Sequence, residues 1–231
     1  MSANEGFRQR ATEIAALLAA KPLIRAINFH NTSPQRAHIF GRQLEMCSKH
    51  FSSVTEDDLD QYLQTGKWHK TKPGVILAFY EGYRNGFDVV RPMLERYGLT
   101  GWFFVITGFV DAAPDEQLDY AMEHGIGIES REYSDGRYAM DWSELRELDR
   151  SHVVASHALS HEEIAAMSQN MREAEVLGSQ QSFVKHLGHP VRTFVSRGGP
   201  AYGEHPETDR LIDAAGYRFV FSNFKVQRIR N

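Results

Sequence analysis

Residues 75–105 hold the feature that most restricts the fold, two apolar runs on either side of a helical segment. The first run, 75–79, has no polar alternation, which is typical of a strand buried on both faces of a parallel sheet. A helical pattern follows over 87–97, and Gly98 is suited to end it. The second run, 102–106, completes a strand–helix–strand unit. Because such crossovers are right-handed and join parallel strands, this stretch predicts an α/β fold.

The same alternation of apolar runs and helical patterns continues along the chain and predicts mostly parallel strands. Further strands are predicted at 23–29, 152–156, 192–196 and 217–221. Further helices are predicted at 6–20, 37–51, from Thr55 onwards, 142–148, 162–187 and 206–215. Residues 111–140 are polar and irregular apart from a short helical pattern at 116–124, and are interpreted as a lid or rim. Polar residues at the strand ends favour a barrel-like closure with a site at the carboxyl ends of the strands.

The composition fits one α/β domain with a sizeable core, since 42% of the 231 residues are hydrophobic. Lys and Arg number 26 against 30 Asp and Glu, a net charge of -4. This balance argues against a nucleic-acid partner, which would need a basic excess, and fits a small or neutral ligand. The single cysteine, Cys47, excludes an intrachain disulfide and is interpreted as structural rather than nucleophilic.

The N-terminal segment is interpreted as an amphipathic surface helix rather than an export signal. Its apolar run, 14–20, is short, and Arg8, Arg10 and Glu13 recur at helical spacing before it. No run approaches the ~20 apolar residues of a membrane span. We therefore expect a helix at 1–22, one domain at 23–231, a cytoplasmic location and no membrane partner. A homo-oligomer is left open.

Two histidines four residues apart, His157 and His161, are candidate metal ligands. His157 directly follows the predicted strand at 152–156, and Ser160 with Glu163 predicts a capping box that would start a helix at the second histidine. This placement can direct two imidazoles towards one point, and neutral imidazole suits zinc and similar divalent metals. On the residues alone, a capped surface helix explains the pair about as well.

Tyr80 and Glu81 follow the buried strand at 75–79, where barrel sites are built. A tyrosine at this edge can simply keep its hydroxyl in water, whereas a carboxylate at a buried strand end needs a partner. Residues 194–203, FVSRGGPAYG, follow another predicted strand. A Gly/Pro-rich turn with a surface arginine explains this segment equally well.

Taken in order, these segments resemble three motifs of the polysaccharide deacetylases (carbohydrate esterase family 4, the NodB-type homology domain), over roughly residues 23–225. The matched segments are Phe79-Tyr80-Glu81-Gly82 for the family's Thr-Phe-Asp-Asp-Gly, His157 with His161 for His-x-x-x-His, and Pro200, Tyr202 and Gly203 for Pro-x-Tyr-Gly. The spacing Trp142-x-x-Leu145-x-x-Leu148 before the histidine pair also agrees. The resemblance implies a single-domain distorted (β/α) barrel.

In the family, the first Asp of motif one is the general base and the second is a metal ligand. The resemblance therefore implies that Glu81, His157 and His161 hold a divalent metal, with zinc as the first expectation. Tyr80 stands at the position of the base. A phenol has a pKa of about 10, so it is protonated at neutral pH and can serve as a hydrogen-bond donor or an acid instead. Glu81 could alternatively be the base, leaving a two-histidine metal site.

The resemblance also implies substrate-binding residues. The backbone N–H of Tyr202 would bind the oxyanion, and Arg197, two residues upstream of the usual arginine, would orient the catalytic group. Ile27-Asn28-Phe29-His30 resembles a strand-end motif of the subgroup that deacetylates poly-N-acetylglucosamine, so His30 would line the site; a loop histidine without function is the alternative. The last family motif, a Leu-x-His with the general acid, is not found, because no histidine follows His205.

The function implied by the resemblance is hydrolysis of a carbon–nitrogen bond other than a peptide bond. The substrate would be a carbohydrate or small molecule, such as an N-acetylated amino sugar or a related amide. Two alternatives stay open, because fold does not imply function. One is a binding protein that kept the barrel and histidine pair but lost turnover, and the other is a metal-independent hydrolase of cyclic amides or ureides.

Overall fold

The computed structural model describes residues 24–129, 132–223 and 225–230. The helix predicted at 6–20 lies outside the described residues, and so does the whole proposed N-terminal segment, 1–22. The division of the chain at residue 22 therefore stays a prediction. No helix in the described ranges is long and apolar enough to cross a membrane.

One 8-stranded sheet runs through the described part of the chain and curls into an open barrel. Its strands are β1 (Ile24–Phe29), β2 (Ser52–Ser53), β3 (Gly74–Phe79), β4 (Gly101–Val105), β5 (Val153–Ser156), β6 (Thr193–Phe194), β7 (Phe219–Phe221) and β8 (Val226–Arg228). Their order is β1-β3-β4-β5-β6-β7-β8, with β2 also paired to β3. All neighbours are parallel except β7 and β8. In these ranges no pairing joins β1 to β8, which leaves a seam between the two end strands. The α/β barrel expected from the sequence is confirmed.

Helices occupy most of the connections between strands. They are α1 (Ala37–His50), α2 (Glu56–Thr65), α3 (Arg91–Tyr97), α4 (Thr107–Asp111), α5 (Gln117–Glu123), α6 (Trp142–Leu148), α7 (Gln169–Glu173), α8 (Ser179–Leu187) and α9 (Pro206–Ala215). A π-helical turn, Gly86–Val90, leads into α3, and a second, Ala174–Gly178, joins α7 to α8. The predicted start of α2 is confirmed: Thr55 and Asp58 form a capping box, with each side chain accepting from the other residue's backbone N–H.

Alternate residues of β3 face two different apolar cores. Val75, Leu77 and Phe79 join the core formed between the sheet and the outer helices. Ile76 and Ala78 join the core inside the barrel. Because both faces are buried, the strand has a continuous apolar sequence rather than an alternating one.

The barrel interior is filled by side chains from the strands and from the segment around β2 and α2. The buried members of this inner core are Val54, Leu59, Trp68, Ile76, Ala78, Trp102, Phe104, Ala155, Val195, Phe219 and Phe221. The indole N–H of Trp102 donates to the carbonyl of Val54 over 2.7 Å. Val54 and Trp68 lie against Gly74, the first residue of β3. The aromatic filling therefore closes the end where this strand begins and leaves its carboxyl end for the site.

The strand register brings the chemically interesting residues to one edge of the sheet. Phe79, the last residue of β3, pairs with Phe29 of β1 and with Phe103 of β4. Ser156, the last residue of β5, pairs with Phe194 at the end of β6. Because these strands are parallel, the residues that follow them emerge at the same edge.

Residues 111–140, predicted to be a lid or rim, pack onto this edge. The short helix expected at 116–124 is confirmed as α5. An isolated antiparallel bridge pairs Tyr83 with Ala139. A third apolar cluster underlies the segment, made of buried Tyr83, Ile106, Phe109, Ala121, Ile126, Tyr138 and Ala139. The described part of the segment is thus a rim with its own core.

The capping box predicted at Ser160 and Glu163 is wrong. Only a short 3-10 turn, Ile164–Ala166, follows His161, and the α-helix predicted from 162 begins at Gln169. The hydroxyl of Ser160 instead donates to the buried carboxylate of Glu175, so a long-range contact replaces the local one. Strand β8 was also not predicted.

We expect Phe183→Ala to lower the free energy of unfolding by about 3–5 kcal/mol, because it empties a fully buried site. Phe183 is 0% exposed and packs edge-on against Trp142. Its neighbour Val184 is 46% exposed, and Val184→Ala should change the free energy by less than about 0.5 kcal/mol. Denaturant unfolding followed by circular dichroism measures both. An equal loss of unfolding free energy in the two variants would contradict the assignment of the Phe183 face of α8 to the core.

Candidate active site

Glu81, His157 and His161 form a compact cluster of atoms able to bind a metal. One carboxylate oxygen and one nitrogen from each ring all lie within 4.8 Å of one another. Glu81 is 3% and His157 4% exposed, and His161 is half-buried. Two imidazoles with one carboxylate are a known donor set for zinc sites that keep an open position. The three residues predicted as ligands are thus brought together.

A backbone carbonyl holds each imidazole. Nδ1 of His157 lies 3.2 Å from the carbonyl oxygen of Val195, and Nδ1 of His161 lies 3.0 Å from that of His124. Since a carbonyl can only accept, each Nδ1 carries the proton and each Nε2 keeps a free lone pair. This arrangement is the one that metal-ligating histidines show, and it fits the donor set to a divalent ion.

Burial determines the protonation of His157. Its burial, with a smaller contribution from the neighbouring His161, lowers the pKa of His157 to about 3. The ring is therefore neutral at ordinary pH, as metal binding requires.

Backbone strain is concentrated in the same place. Glu81 (φ 70°), Ala158 (φ 63°) and His161 (φ 64°) are the non-glycine residues with left-handed backbones in the described ranges. Gly82 follows at φ 87°, where an added Cβ would lie 3.2 Å from a methyl group of Val105. Such conformations persist only where the surroundings enforce them, and they cluster at functional sites.

His30 and Glu81 form a direct pair. Nδ1 of His30 lies 3.0 and 3.1 Å from the two carboxylate oxygens of Glu81. This hydrogen bond raises the pKa of His30 above its ordinary value. The side chain of His30 is 68% exposed, so it closes the solvent side of the cluster while orienting the carboxylate.

Tyr80 lies among aromatic rings at the centre of the site. It stacks on Phe104 at 4.9 Å and on His30 at 5.4 Å, and meets His157 edge-on at 5.4 Å. Burial, together with the nearby charge of Glu81, raises the pKa of Tyr80 to about 12. The phenol is therefore protonated at neutral pH and is able to donate a hydrogen bond but not to act as a base.

All the predicted site residues except Tyr202 open onto one pocket of about 170 Å³. Its lining is Asn28, His30, Tyr80, Glu81, His157, His161, Val195, Ser196, Arg197, Gly198, Gly199, Ser222 and Asn223. A cavity of about 310 Å³ adjoins it along the seam between β1 and β8. Another of about 200 Å³ adjoins it on the side of Arg197. The reacting point would thus lie in a polar cleft with space on two sides.

Arg197 and Tyr202 occupy different positions relative to this pocket. Arg197 lines it and donates from Nη1 to the carbonyl of His161 over 3.2 Å. Tyr202 does not line it; its hydroxyl donates to Asp213 over 2.8 Å, and its carbonyl accepts from Gln227. The substrate-binding roles of both residues stay predictions.

Several site residues were not predicted from the sequence. Asn28, Ser222 and Asn223 line the pocket from β1 and from the end of β7. The carbonyls of His124 and Val195 hold the two imidazoles, and a backbone carbonyl leaves no signal in the residue type. A strand end followed by polar residues could have indicated Ser222 and Asn223, because β7 ends beside β6.

The polysaccharide deacetylase family model matches this chain over residues 67–220. A curated relative, "Putative polysaccharide deacetylase YxkH" from Bacillus subtilis (strain 168), is 23% identical over 147 residues. The match covers 62% of this chain and 42% of the relative. The chain therefore spans less than half the length of that protein.

Solved structures agree in fold. The deacetylase PplD of Streptococcus pyogenes, in complex with acetate, has a TM-score of 0.66 at 16% identity, covering 90% of this chain and 86% of that one. IcaB from Ammonifex degensii has a TM-score of 0.65 at 20% identity, covering 87% and 84%. At these identities the similarity shows a shared fold.

The buried state of His157 predicts a pH dependence of stability in the metal-free protein. Its pKa is about 3 in the folded state and about 6.5 when unfolded, so between these values the unfolded chain binds more protons. The free energy of unfolding should therefore fall with decreasing pH, by up to about 1.4 kcal/mol per pH unit from this residue. In urea unfolding between pH 7 and 4, the free energy of unfolding should fall less steeply for His157→Gln than for the parent protein. If the free energy of unfolding depends on pH in the same way in both proteins, His157 is not the buried neutral group that causes the fall.

Proposed function

This chain belongs to the polysaccharide deacetylase family, and we propose that it is a metal-dependent hydrolase that removes the acetyl group from the nitrogen of an amino sugar. The observation that carries the proposal is the convergence of Glu81, His157 and His161 at the carboxyl ends of the strands, within 4.8 Å. Family membership alone would not be enough, because one fold supports many chemistries.

The proposed metal is zinc, held by Nε2 of each histidine and by the carboxylate of Glu81. When bound, such an ion lowers the pKa of a water molecule and polarises the carbonyl of the scissile amide. The neutral state of His157 and the carbonyl contacts to both Nδ1 atoms support this donor set. His30 would keep the carboxylate of Glu81 oriented from the solvent side.

The remaining residues would bind and polarise the substrate. The protonated phenol of Tyr80 would donate a hydrogen bond to the acetyl oxygen or to the departing nitrogen. Arg197 and His30 would contact the sugar, since both residues line the pocket. The backbone N–H of Tyr202 is retained as a proposed oxyanion donor.

Proton transfer is the demanding step, because hydrolysis needs a group that accepts a proton from water. Glu81 is the one carboxylate that lines this pocket in the described part of the chain. If Glu81 accepts the proton, the two histidines hold the metal with less support from the protein. We therefore propose a slow enzyme, since general-base catalysis contributes typically 10²–10⁴-fold to a rate.

A second candidate function, carbohydrate binding without turnover, is favoured by the same residue, Tyr80. Its pKa of about 12 excludes it as a base, and it lines the cleft without supplying a group that could accept a proton from water. The cleft would then hold an N-acetylated sugar without cleaving it. Turnover by the unmodified protein distinguishes the two functions.

Metal content is the first test. We expect protein supplied with Zn²⁺ to hold close to one ion per chain by elemental analysis, and both His157→Ala and His161→Ala to lose it. His205→Ala serves as a control, because His205 is exposed and lies in the neighbouring cavity outside the cluster. An absence of bound metal in the parent protein would end the proposal of a metal-dependent hydrolase.

Restoring a carboxylate at position 80 tests the role of that position. We expect Tyr80→Asp to increase the release of acetate from N-acetylglucosamine oligomers by about 10²–10⁴-fold, because a general base is regained. Tyr80→Phe, which removes only the hydroxyl, should give no increase. If Tyr80→Asp still binds Zn²⁺ but gains no activity on any N-acetylated sugar, position 80 is not the position of a lost base.

A further inference from the structure

A buried carboxylate outside the pocket is bonded to the loop between the two metal-site histidines. Glu175 is 4% exposed. Its Oε2 accepts from the backbone N–H of Leu159 over 3.0 Å and from that of Ser160 over 2.9 Å. Its Oε1 accepts from the hydroxyl of Ser160. Hydrogen bonds to an ionised acceptor are about twice as strong as neutral ones, so this is a firm attachment.

The position of Glu175 in the helix gives the contact its rigidity. The residue lies in the π-helical turn Ala174–Gly178 between α7 and α8, a type of irregularity that is frequent at functional sites. The next residue, Val176, is fully buried in the outer core. Packing of this helical turn therefore holds the Glu175 carboxylate in place, independently of the loop that it bonds.

The opposite side of the loop is bonded to the rim. The carbonyl of Ala158 accepts from the N–H of Thr107 over 3.2 Å, and that of Leu159 accepts from the N–H of Gly108 over 2.8 Å. The hydroxyl of Tyr120 also donates to the carbonyl of Leu159. The carbonyls of Ala158 and Leu159 are thus satisfied by the start of α4 and by α5. The N–H groups of Leu159 and Ser160 are satisfied by Glu175, and that of Ala158 by the hydroxyl of Ser156.

Such two-sided bonding accounts for the strained backbone of the loop. Ala158 and His161, on either side of the bonded residues, both have left-handed φ values. Each such residue costs of order 1–3 kcal/mol and persists only when its surroundings enforce it. On the N–H side, the carboxylate of Glu175 supplies the contacts to Leu159 and Ser160, and the hydroxyl of Ser156 supplies the contact to Ala158.

We propose that Glu175 is a positioning residue that locks the loop between His157 and His161, so that both Nε2 atoms reach one metal ion. The proposal rests on the metal site of the proposed function. A carboxylate buried outside the pocket is costly, and an apolar residue would pack there at less cost. The three donors of the loop are what stabilise the charge.

The variant Glu175→Gln separates charge from size. Glutamine keeps the volume, but its amide NH₂ is a donor and would face the loop's own donors, leaving one acceptor oxygen for three partners. Glu173→Gln is the matched control. Glu173 lies two residues away on α7 and accepts from Gln169 in an exposed contact.

Two measurements test the proposal. In the metal-free protein, backbone hydrogen exchange at Leu159 and Ser160 should be about tenfold faster in Glu175→Gln than in the parent chain, and unchanged in Glu173→Gln. Competition with a chromophoric chelator should show Zn²⁺ affinity about 10–100-fold weaker in Glu175→Gln and unchanged in the control.

The two readouts separate the proposals. If the parent chain binds no Zn²⁺, the proposed function fails, while the exchange rates still decide the role of Glu175. Exchange at parent rates in Glu175→Gln, or an unaltered Zn²⁺ affinity, overturns the positioning role. If Glu175→Gln does not fold, Ser160→Ala removes one of the three hydrogen bonds and should give a smaller change in the same direction. No change in either measurement would overturn the proposal.

Discussion

The parallel register of β3, β5 and their neighbours is the constraint on which the rest of the structure depends. Phe79 pairs with Phe29 and Phe103, and Ser156 pairs with Phe194, so the strands end level with one another. Side chains alternate along a strand, so a slip of one residue would reverse which side chains enter the barrel. The two cores on the faces of β3 resist such a slip and thereby fix where the candidate metal-binding atoms emerge.

The fold could be predicted because it leaves strong local signals, such as the continuous apolar runs of β3 and β4. The histidine spacing after a strand indicated His157 and His161 only as candidates, and the resemblance in motifs added Glu81 to them. The loop between the histidines could not be predicted, because Ser160 was free to cap a helix locally or to bind Glu175 across 15 residues. Only the tertiary structure decides between these partners. Strand β8 is short and half-buried, so its sequence shows no clear alternation of apolar and polar residues.

Tyr80 changes the electrostatic character of the site without disturbing its architecture. A carboxylate there would place a second negative charge beside Glu81. The phenol leaves one carboxylate beside the two imidazoles, and it fills the space with a ring stacked on Phe104. The protein thus has the framework proposed to hold an ion and lacks the group expected to accept a proton from water.

The contact between the carbonyl of His124 and the ring of His161 has a consequence for how this protein can diverge. Loops at the mouth of a barrel usually tolerate insertions, which is how one scaffold acquires new substrates. Here the end of α5 supplies an atom that orients an imidazole, so lengthening the chain at that point would rotate a candidate metal ligand. Sequence drift in the rim is thereby restricted to its outward-facing residues, and changes in substrate preference would have to arise elsewhere around the mouth.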